Sequence, residues 1–245
     1  MEKPVRKQDE RGAYLLGTEG IARLRRAHVA VFGIGGVGSY ACEALARGGI
    51  GRLTLVDHDT VSESNINRQL VALHSTLGRY KTDVAAERIL DINPECAVTV
   101  RHEFLLPENA DTFDFSSFDY IVDAVDTVAA KVELAVRAYA AGVPLISCMG
   151  AGNKLDPTKF LVTDLFATSG DPLARVMRSA LRKRGVPSLR VVCSAEPPTP
   201  LHPDFAQETT EGKGGRRAPG SLSFVPSVAG LIAAGEVIRT LSGVC

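Results

Sequence analysis

His28-Val29-Ala30-Val31-Phe32-Gly33-Ile34-Gly35-Gly36-Val37-Gly38-Ser39-Tyr40-Ala41-Cys42-Glu43-Ala44-Leu45-Ala46-Arg47 sets an apolar run, a glycine loop and an alanine-rich stretch end to end. That order suits a strand, a tight turn and a helix start. Bare glycine backbone offers N–H donors to a ligand, and a helix N-terminus adds the positive end of its dipole, so such a loop can receive a phosphate. The glycines alone do not decide the matter, because close packing of a helix on a strand also asks for them.

Working outward, apolar runs near Val29, Leu53, Val98, Ile121 and Leu145 alternate with helical stretches near Ala41, Ala85 and Leu134. This alternation predicts a doubly wound α/β fold with a mostly parallel, Rossmann-like sheet. Asp57 ends the second apolar run, where a carboxylate can accept hydrogen bonds from a ribose hydroxyl. A nicotinamide-dependent dehydrogenase would fit equally well to this point. The polar segment from Thr60 to Gln69, containing Arg68, and Lys81 at the start of the next helix shift the balance. When a carboxylate attacks the α-phosphate of ATP, negative charge builds up there, and a guanidinium fork with a point cation answers it. The competing reading, in which Arg68 and Lys81 are solvated surface charges, needs no ligand.

Gly33 to Gly38, Asp57-His58-Asp59-Thr60-Val61-Ser62-Glu63-Ser64-Asn65-Ile66-Asn67-Arg68-Gln69, Gly78-Arg79-Tyr80-Lys81 and Ile92-Asn93-Pro94 together resemble the ubiquitin-activating-like (ThiF/MoeB/HesA) superfamily, from about Arg11 to Gly152. The resemblance implies that Gly33, Gly35, Gly36 and Gly38 line ATP, that Asp57 holds the ribose, and that Asn65, Arg68, Gln69 and Lys81 surround the phosphates. It makes Asp126 the carboxylate linked to Mg²⁺, with Asp123 second in line or a helix cap. It also implies a homodimer in which Arg11 enters the partner's site; the alternative is that Arg11 lies on a frayed, charged tail. Arg68, Lys81 and Arg11 are the catalytic candidates.

Past Asp156 the likeness narrows. Gly150 to Leu165, Asp171 to Arg175 and Val191 to Glu196 resemble the bacterial tRNA threonylcarbamoyladenosine dehydratases, which implies ATP-dependent closure of a threonylcarbamoyl side chain on tRNA. Two other readings stand beside it: adenylation of the Gly-Gly end of a sulfur-carrier protein, and a noncatalytic nucleotide-binding partner in sulfur relay. The resemblance leaves room for a monovalent cation and for a cysteine desulfurase or sulfur-acceptor protein as partner.

The 245 residues, 45% of them hydrophobic, suffice for a substantial core without disulfides. Three regions are expected: an N-terminal arm and helix over 1–26, an ATP-binding core over 27–152, and a substrate and dimer elaboration over 153–245, with a flexible loop or lid near 197–220. Cys42, Cys96, Cys148, Cys193 and Cys245 are scattered, without the paired two-residue gaps of a zinc ribbon, so no structural zinc is expected and the carrier-protein reading loses ground. Cys193 reads as a buried structural residue, with a second reading, taken from related adenylating enzymes, as a thiolate that accepts the activated acyl group or sulfur. The odd cysteine count and the want of an apolar signal region point to the cytoplasm. The apolar segment Phe224 to Leu241 contains Pro226, Glu236 and Arg239 and reads as a core helix, with no membrane partner.

Charge is uneven along the chain. Residues 171–245 hold 10 basic and 6 acidic side chains, whereas the first 170 hold 18 and 22. Arg175, Arg178, Arg182, Lys183 and Arg184 fall on a helical stretch, with Val176, Met177, Ala180 and Leu181 expected on its apolar side. A basic face there suits an anionic partner such as tRNA, though many such faces are simply solvated.

Overall fold

The computed structural model describes residues 5–205 and 219–244. Its seven strands are β1 (His28–Phe32), β2 (Arg52–Val56), β3 (Ala97–Arg101), β4 (Tyr120–Asp123), β5 (Leu145–Cys148), β6 (Phe160–Asp164) and β7 (Arg190–Ser194). They form one sheet in the order β3-β2-β1-β4-β5-β7-β6, parallel throughout except for β6, which runs antiparallel on the edge beside β7. The expected doubly wound, mostly parallel sheet is the observed one. Its order reverses between β1 and β4, and ligands of open α/β sheets bind at the carboxyl ends of strands beside such a reversal.

The helices are α1 (Glu10–Arg26), α2 (Gly38–Arg47), α3 (Lys81–Ile92), α4 (Val128–Ala141), α5 (Pro172–Lys183) and α6 (Phe224–Ser242). Every residue of β1 is buried, as a strand covered on both faces requires. Alternate side chains enter opposite cores: Val29 and Val31 join residues of α1, α2, α3 and α6, whereas Ala30 and Phe32 join residues of α4 and α5. This period of two explains why the sequence signal is a continuous apolar run rather than an alternation.

The apolar helix α6 is long and hydrophobic enough to cross a bilayer by length and composition alone. Here it packs on α2 and α1, with Val225, Ala229, Ala233, Ala234 and Val237 buried. At Gly230 a Cβ would come within 2.2 Å of the Val37 carbonyl oxygen, so α6 crosses the start of α2 at backbone distance. The helix expected from Phe224 to Leu241 is therefore a core element, and it carries the C-terminal region back to the glycine loop.

Two expectations are corrected. Val176 is exposed; the buried side of α5 is Ala174, Met177 and Leu181, whose spacing at about 3.6 residues per turn puts them on one side and turns Val176 away from it. The frayed-tail alternative for Arg11 also fails, since Arg11 lies in the first turn of α1. The nearly buried Asp9 anchors that turn, accepting from Arg6 Nε and Arg25 Nη2 at 2.7 Å each. Cys245 and most of the loop near 197–220 lie outside the described residues.

Candidate nucleotide site

The glycine loop leaves β1 and turns back at once. Gly33 has φ +86°, a conformation that disfavours any side chain, and a Cβ on it would meet the Ala124 carbonyl oxygen at 2.7 Å. A Cβ at Gly38 would lie 1.8 Å from the Gly33 carbonyl oxygen. The exit from β4 and the start of α2 thus close on one turn.

Asp57 is bound into this turn. Its Oδ2 accepts Ile34 N at 2.6 Å and its Oδ1 accepts Asp59 N at 2.8 Å, which fixes the carboxylate at the end of β2. Asn65 is buried and its Oδ1 accepts Ser62 N at 3.1 Å, closing a short 3-10 turn over Glu63–Asn65. That turn delivers Arg68 and Gln69 to the glycine loop. Arg68 Cγ lies 3.5 Å from the Cβ position of Gly36, and Gln69 Nε2 lies 3.7 Å from that of Gly35. Gln69 Oε1 is buried with no hydrogen-bond partner among the described residues, an orphan acceptor beside the loop that a bound polar group can satisfy.

Arg68 spends only one end of its fork on the protein. Nη1 donates to the Ser64 carbonyl and to Asn67 Oδ1, both at 2.8 Å, while Nε and Nη2 make no bond with the described residues. Lys81 opens α3 with 5% of its surface exposed, and its Nζ donates to Asp59 Oδ2 at 2.9 Å. A cation this buried needs a counter-charge, and Asp59 supplies it. The sequence gives Asp59 no role of its own; a second carboxylate two residues past Asp57 was the available signal.

Beyond β4, Asp126 is exposed. Its Oδ1 accepts from Thr127 Oγ1 at 3.2 Å and its other oxygen is unbonded among the described residues. Asp123 is different: fully buried, it receives Lys131 Nζ at 3.1 Å on both oxygens and Ser147 Oγ at 2.5 Å. Lys131 Nζ also donates to the Cys148 carbonyl at 2.7 Å, joining α4 to β4 and β5 beneath the site. These bonds remove Asp123 as a metal ligand. Its only cap-like bond, from Val125 N at 3.2 Å, steadies the loop leading to Asp126.

Arg11 is exposed and makes no ion pair with the described residues of its own chain. Two side chains on the same short helical stretch, Tyr14 and Leu15, are 73% and 81% exposed. The stretch ends at Gly17, where φ +71° breaks the helix. Cys193 is buried on β7; burial raises its thiol above the ordinary value, Asp171 adds to the rise and Lys154 opposes it. Such a thiol is not a ready nucleophile at neutral pH. Glu196 lies nearby with its carboxyl held below the ordinary value by the backbone N–H groups of Leu155, at 2.9 Å, and Asp156, at 3.0 Å.

The basic side of α5 is thinner than its composition suggests. Arg178 Nη1 donates to the Thr168 carbonyl at 3.0 Å, Arg182 lies over the Phe166 ring at 5.3 Å and Arg184 pairs with Glu133 at 3.2 Å. Arg175 and Lys183 have no such partner among the described residues.

Known proteins resemble the chain in sequence and in fold. The tRNA threonylcarbamoyladenosine dehydratase of Bacillus subtilis is 44% identical over 239 residues, covering 96% of this chain and 94% of that protein. The enzyme of that name from Escherichia coli is 45% identical over 170 residues, 69% of this chain and 63% of the relative. A crystal structure of the E. coli tRNA N6-threonylcarbamoyladenosine dehydratase in complex with ATP superposes with a TM-score of 0.86 at 35% identity, covering 97% of this chain and 95% of that one. A complex of the same enzyme with AMP gives 0.85 at 36% identity. The sequence pattern described as the ThiF family matches residues 9–244, and the chain belongs to that family.

Proposed function

We propose that this protein is an ATP-dependent tRNA threonylcarbamoyladenosine dehydratase, which adenylates the threonyl carboxylate of the modified adenosine so that the side chain closes into a ring. The observation that carries the reading is the convergence of the glycine loop, Asp57, the open end of the Arg68 fork and the cation of Lys81 at the carboxyl end of the sheet, in a chain resembling these dehydratases over nearly its whole length. The substrate carboxylate attacks the α-phosphorus and pyrophosphate leaves. An atom of the same substrate then attacks the acyl carbon, losing its proton, and AMP departs with the former carboxylate oxygen. The net change is loss of one water from the nucleoside.

Each residue has a task in this scheme. The N–H groups around Gly33, Gly35, Gly36 and Gly38 receive phosphate oxygens at the start of α2. Asp57, already held by two backbone donors, accepts from the ribose. Arg68 turns Nε and Nη2 to the phosphates, Lys81 exchanges Asp59 for them, and Asn65 and Gln69 hold the wall. Asp126 fits Mg²⁺, because an exposed carboxylate with an unbonded oxygen is what this ion takes alongside water and phosphate. When bound, Mg²⁺ would neutralise charge on the leaving pyrophosphate.

Residues 27–152 form the nucleotide core in this reading and residues 153–245 the part that meets substrate and partner copy. The exposed Tyr14 and Leu15 beside Arg11 support a homodimer in which Arg11 reaches the partner's site. Arg175 and Lys183 suit the tRNA backbone, and the setting is the cytoplasm. The test is mass spectrometry of nucleosides from threonylcarbamoyl-modified tRNA incubated with the protein, ATP and Mg²⁺. A product lighter by one water, formed only with ATP and lost in Arg68→Ala, is expected. An unchanged nucleoside, or unchanged turnover by Arg68→Ala, overturns the assignment.

A further inference from the structure

Asn153, just beyond β5, is the one non-glycine residue with positive φ among the described residues, at +56°. Asparagine tolerates this region because its short amide bonds locally. Here the bonds go to distant chain. Asn153 N donates to the Gly220 carbonyl at 2.8 Å, Asn153 Oδ1 accepts Gly220 N at 2.7 Å, and the Asn153 carbonyl accepts Thr199 N at 2.6 Å. Next to it, a Cβ on Gly152 would lie 2.7 Å from Pro219 Cβ, so the two segments touch closely. One residue therefore clips together Thr199 and Gly220.

From Gly220 the bonding continues toward the nucleotide site. The Ser221 carbonyl accepts Asn67 Nδ2 at 3.0 Å, and Asn67 Oδ1 accepts Arg68 Nη1 at 2.8 Å. A few residues on, Pro226 Cβ lies 3.2 Å from the Cβ position of Gly36. Arg68 thus has two restraints on Nη1, one from Ser64 in its own turn and one that comes through Asn67 from the segment leading into α6.

We propose that Asn153 and Asn67 are positioning residues, linked through Gly220 and Ser221, that hold the Arg68 guanidinium with its free edge toward the phosphates. The proposal rests on the adenylation reading for its effect on rate, but not for its effect on the protein alone. A long side chain held by two acceptors loses less freedom when it meets the transition state, so the relay acts on kcat more than on the affinity for ATP.

The test uses Asn153→Gly, which accepts the same φ without strain, together with Asn67→Ala and the double variant. Each single change should lower kcat for pyrophosphate release about five- to ten-fold, with KM for ATP changed less than about two-fold. The double variant should be no worse than about two-fold below the weaker single, since both break one chain. Asn153→Asp keeps the acceptor for Gly220 N and should restore kcat. Unchanged kcat in Asn153→Gly, or losses that multiply in the double variant, would overturn the relay. Amide hydrogen exchange without nucleotide separates this from the function itself: Asn153→Gly should speed exchange across residues 62–70 at unchanged melting temperature. Unaltered exchange there sinks the relay whatever the activity. A parent protein that releases no pyrophosphate in the presence of substrate tRNA counts against the dehydratase reading alone.

Discussion

A methyl group at Gly38 would sit 1.8 Å from the Gly33 carbonyl oxygen, a backbone atom with no rotamer to change. Relief would require moving the turn between β1 and α2, against which Ala124 already packs. Gly38→Ala should therefore lose about 3 kcal/mol or more of stability, read from the midpoint of urea unfolding. At Gly36 the same methyl meets Pro226 at 3.2 Å, a side-chain contact that can give by a few tenths of an ångström. Gly36→Ala should cost about 1 kcal/mol or less and act mainly on nucleotide affinity. Equal losses at the two positions would mean that the turn is more compliant than its contacts imply. These glycines, Asp57, Arg68 and Lys81 were legible as candidates because they fall in short, recognisable runs of sequence. The sequence did not disclose that Lys81 rests on Asp59 at 2.9 Å, or that Asn67 meets Ser221 across 154 positions. Pairings of common polar residues leave no local pattern.

Among the elements, α4 shows how a buried charge organises the floor of the site. Lys131, 1% exposed, bridges Asp123 on β4 with Ser147 and the Cys148 carbonyl on β5. Lys131→Met keeps the volume but leaves the Asp123 carboxylate buried with only hydroxyl and backbone donors. That change should destabilise the fold by about 3 to 5 kcal/mol, whereas Asp123→Leu with Lys131→Met should recover much of the loss. If the single variant unfolds at the parent's denaturant midpoint, the pair is not holding the strand ends. The helical periodicity of α4 was legible, yet its polar residues inside an apolar stretch gave no warning of an ion pair. On α5 the lesson is one of discount: five basic residues were visible, and three are engaged by Thr168, Phe166 and Glu133. Arg175→Ala with Lys183→Ala should weaken tRNA binding and reduce the slope of log affinity against log salt by about 2, while Arg184→Ala changes that slope little. Filter binding across a salt series decides it.

For the molecule as a whole, the doubly wound, mostly parallel sheet followed from the alternation of apolar runs and helices, but the strand order, the antiparallel edge strand β6 and the return of α6 to the glycine loop, where Gly230 meets the Val37 carbonyl, did not. The docking of the N-terminus was equally hidden. Burial alone would raise the Asp9 carboxyl, but hydrogen bonds and charges from Arg6 and Arg25 outweigh it and hold the group below the ordinary aspartate value. A depressed carboxylate contributes stability that is fully present above its ordinary value and is lost as pH falls through the folded-state value. Asp9→Asn should therefore be less stable than the parent at neutral pH, and the gap should close as the pH falls below the ordinary aspartate value in acid unfolding curves. This anchoring fixes the turn that presents Arg11, Tyr14 and Leu15 to the outside. If Arg11 completes the partner's site, Arg11→Ala and Lys81→Met are each inactive as homodimers, yet they damage different halves of a shared site. Mixing them under exchange conditions makes about half of the dimers mixed, and each mixed dimer holds one site with both defects and one with neither. Activity should then rise from near zero to about a quarter of the parent's. No recovery, with exchange verified by mass spectrometry of the mixed species, would place both residues in one chain's site and remove the dimer from the catalyst.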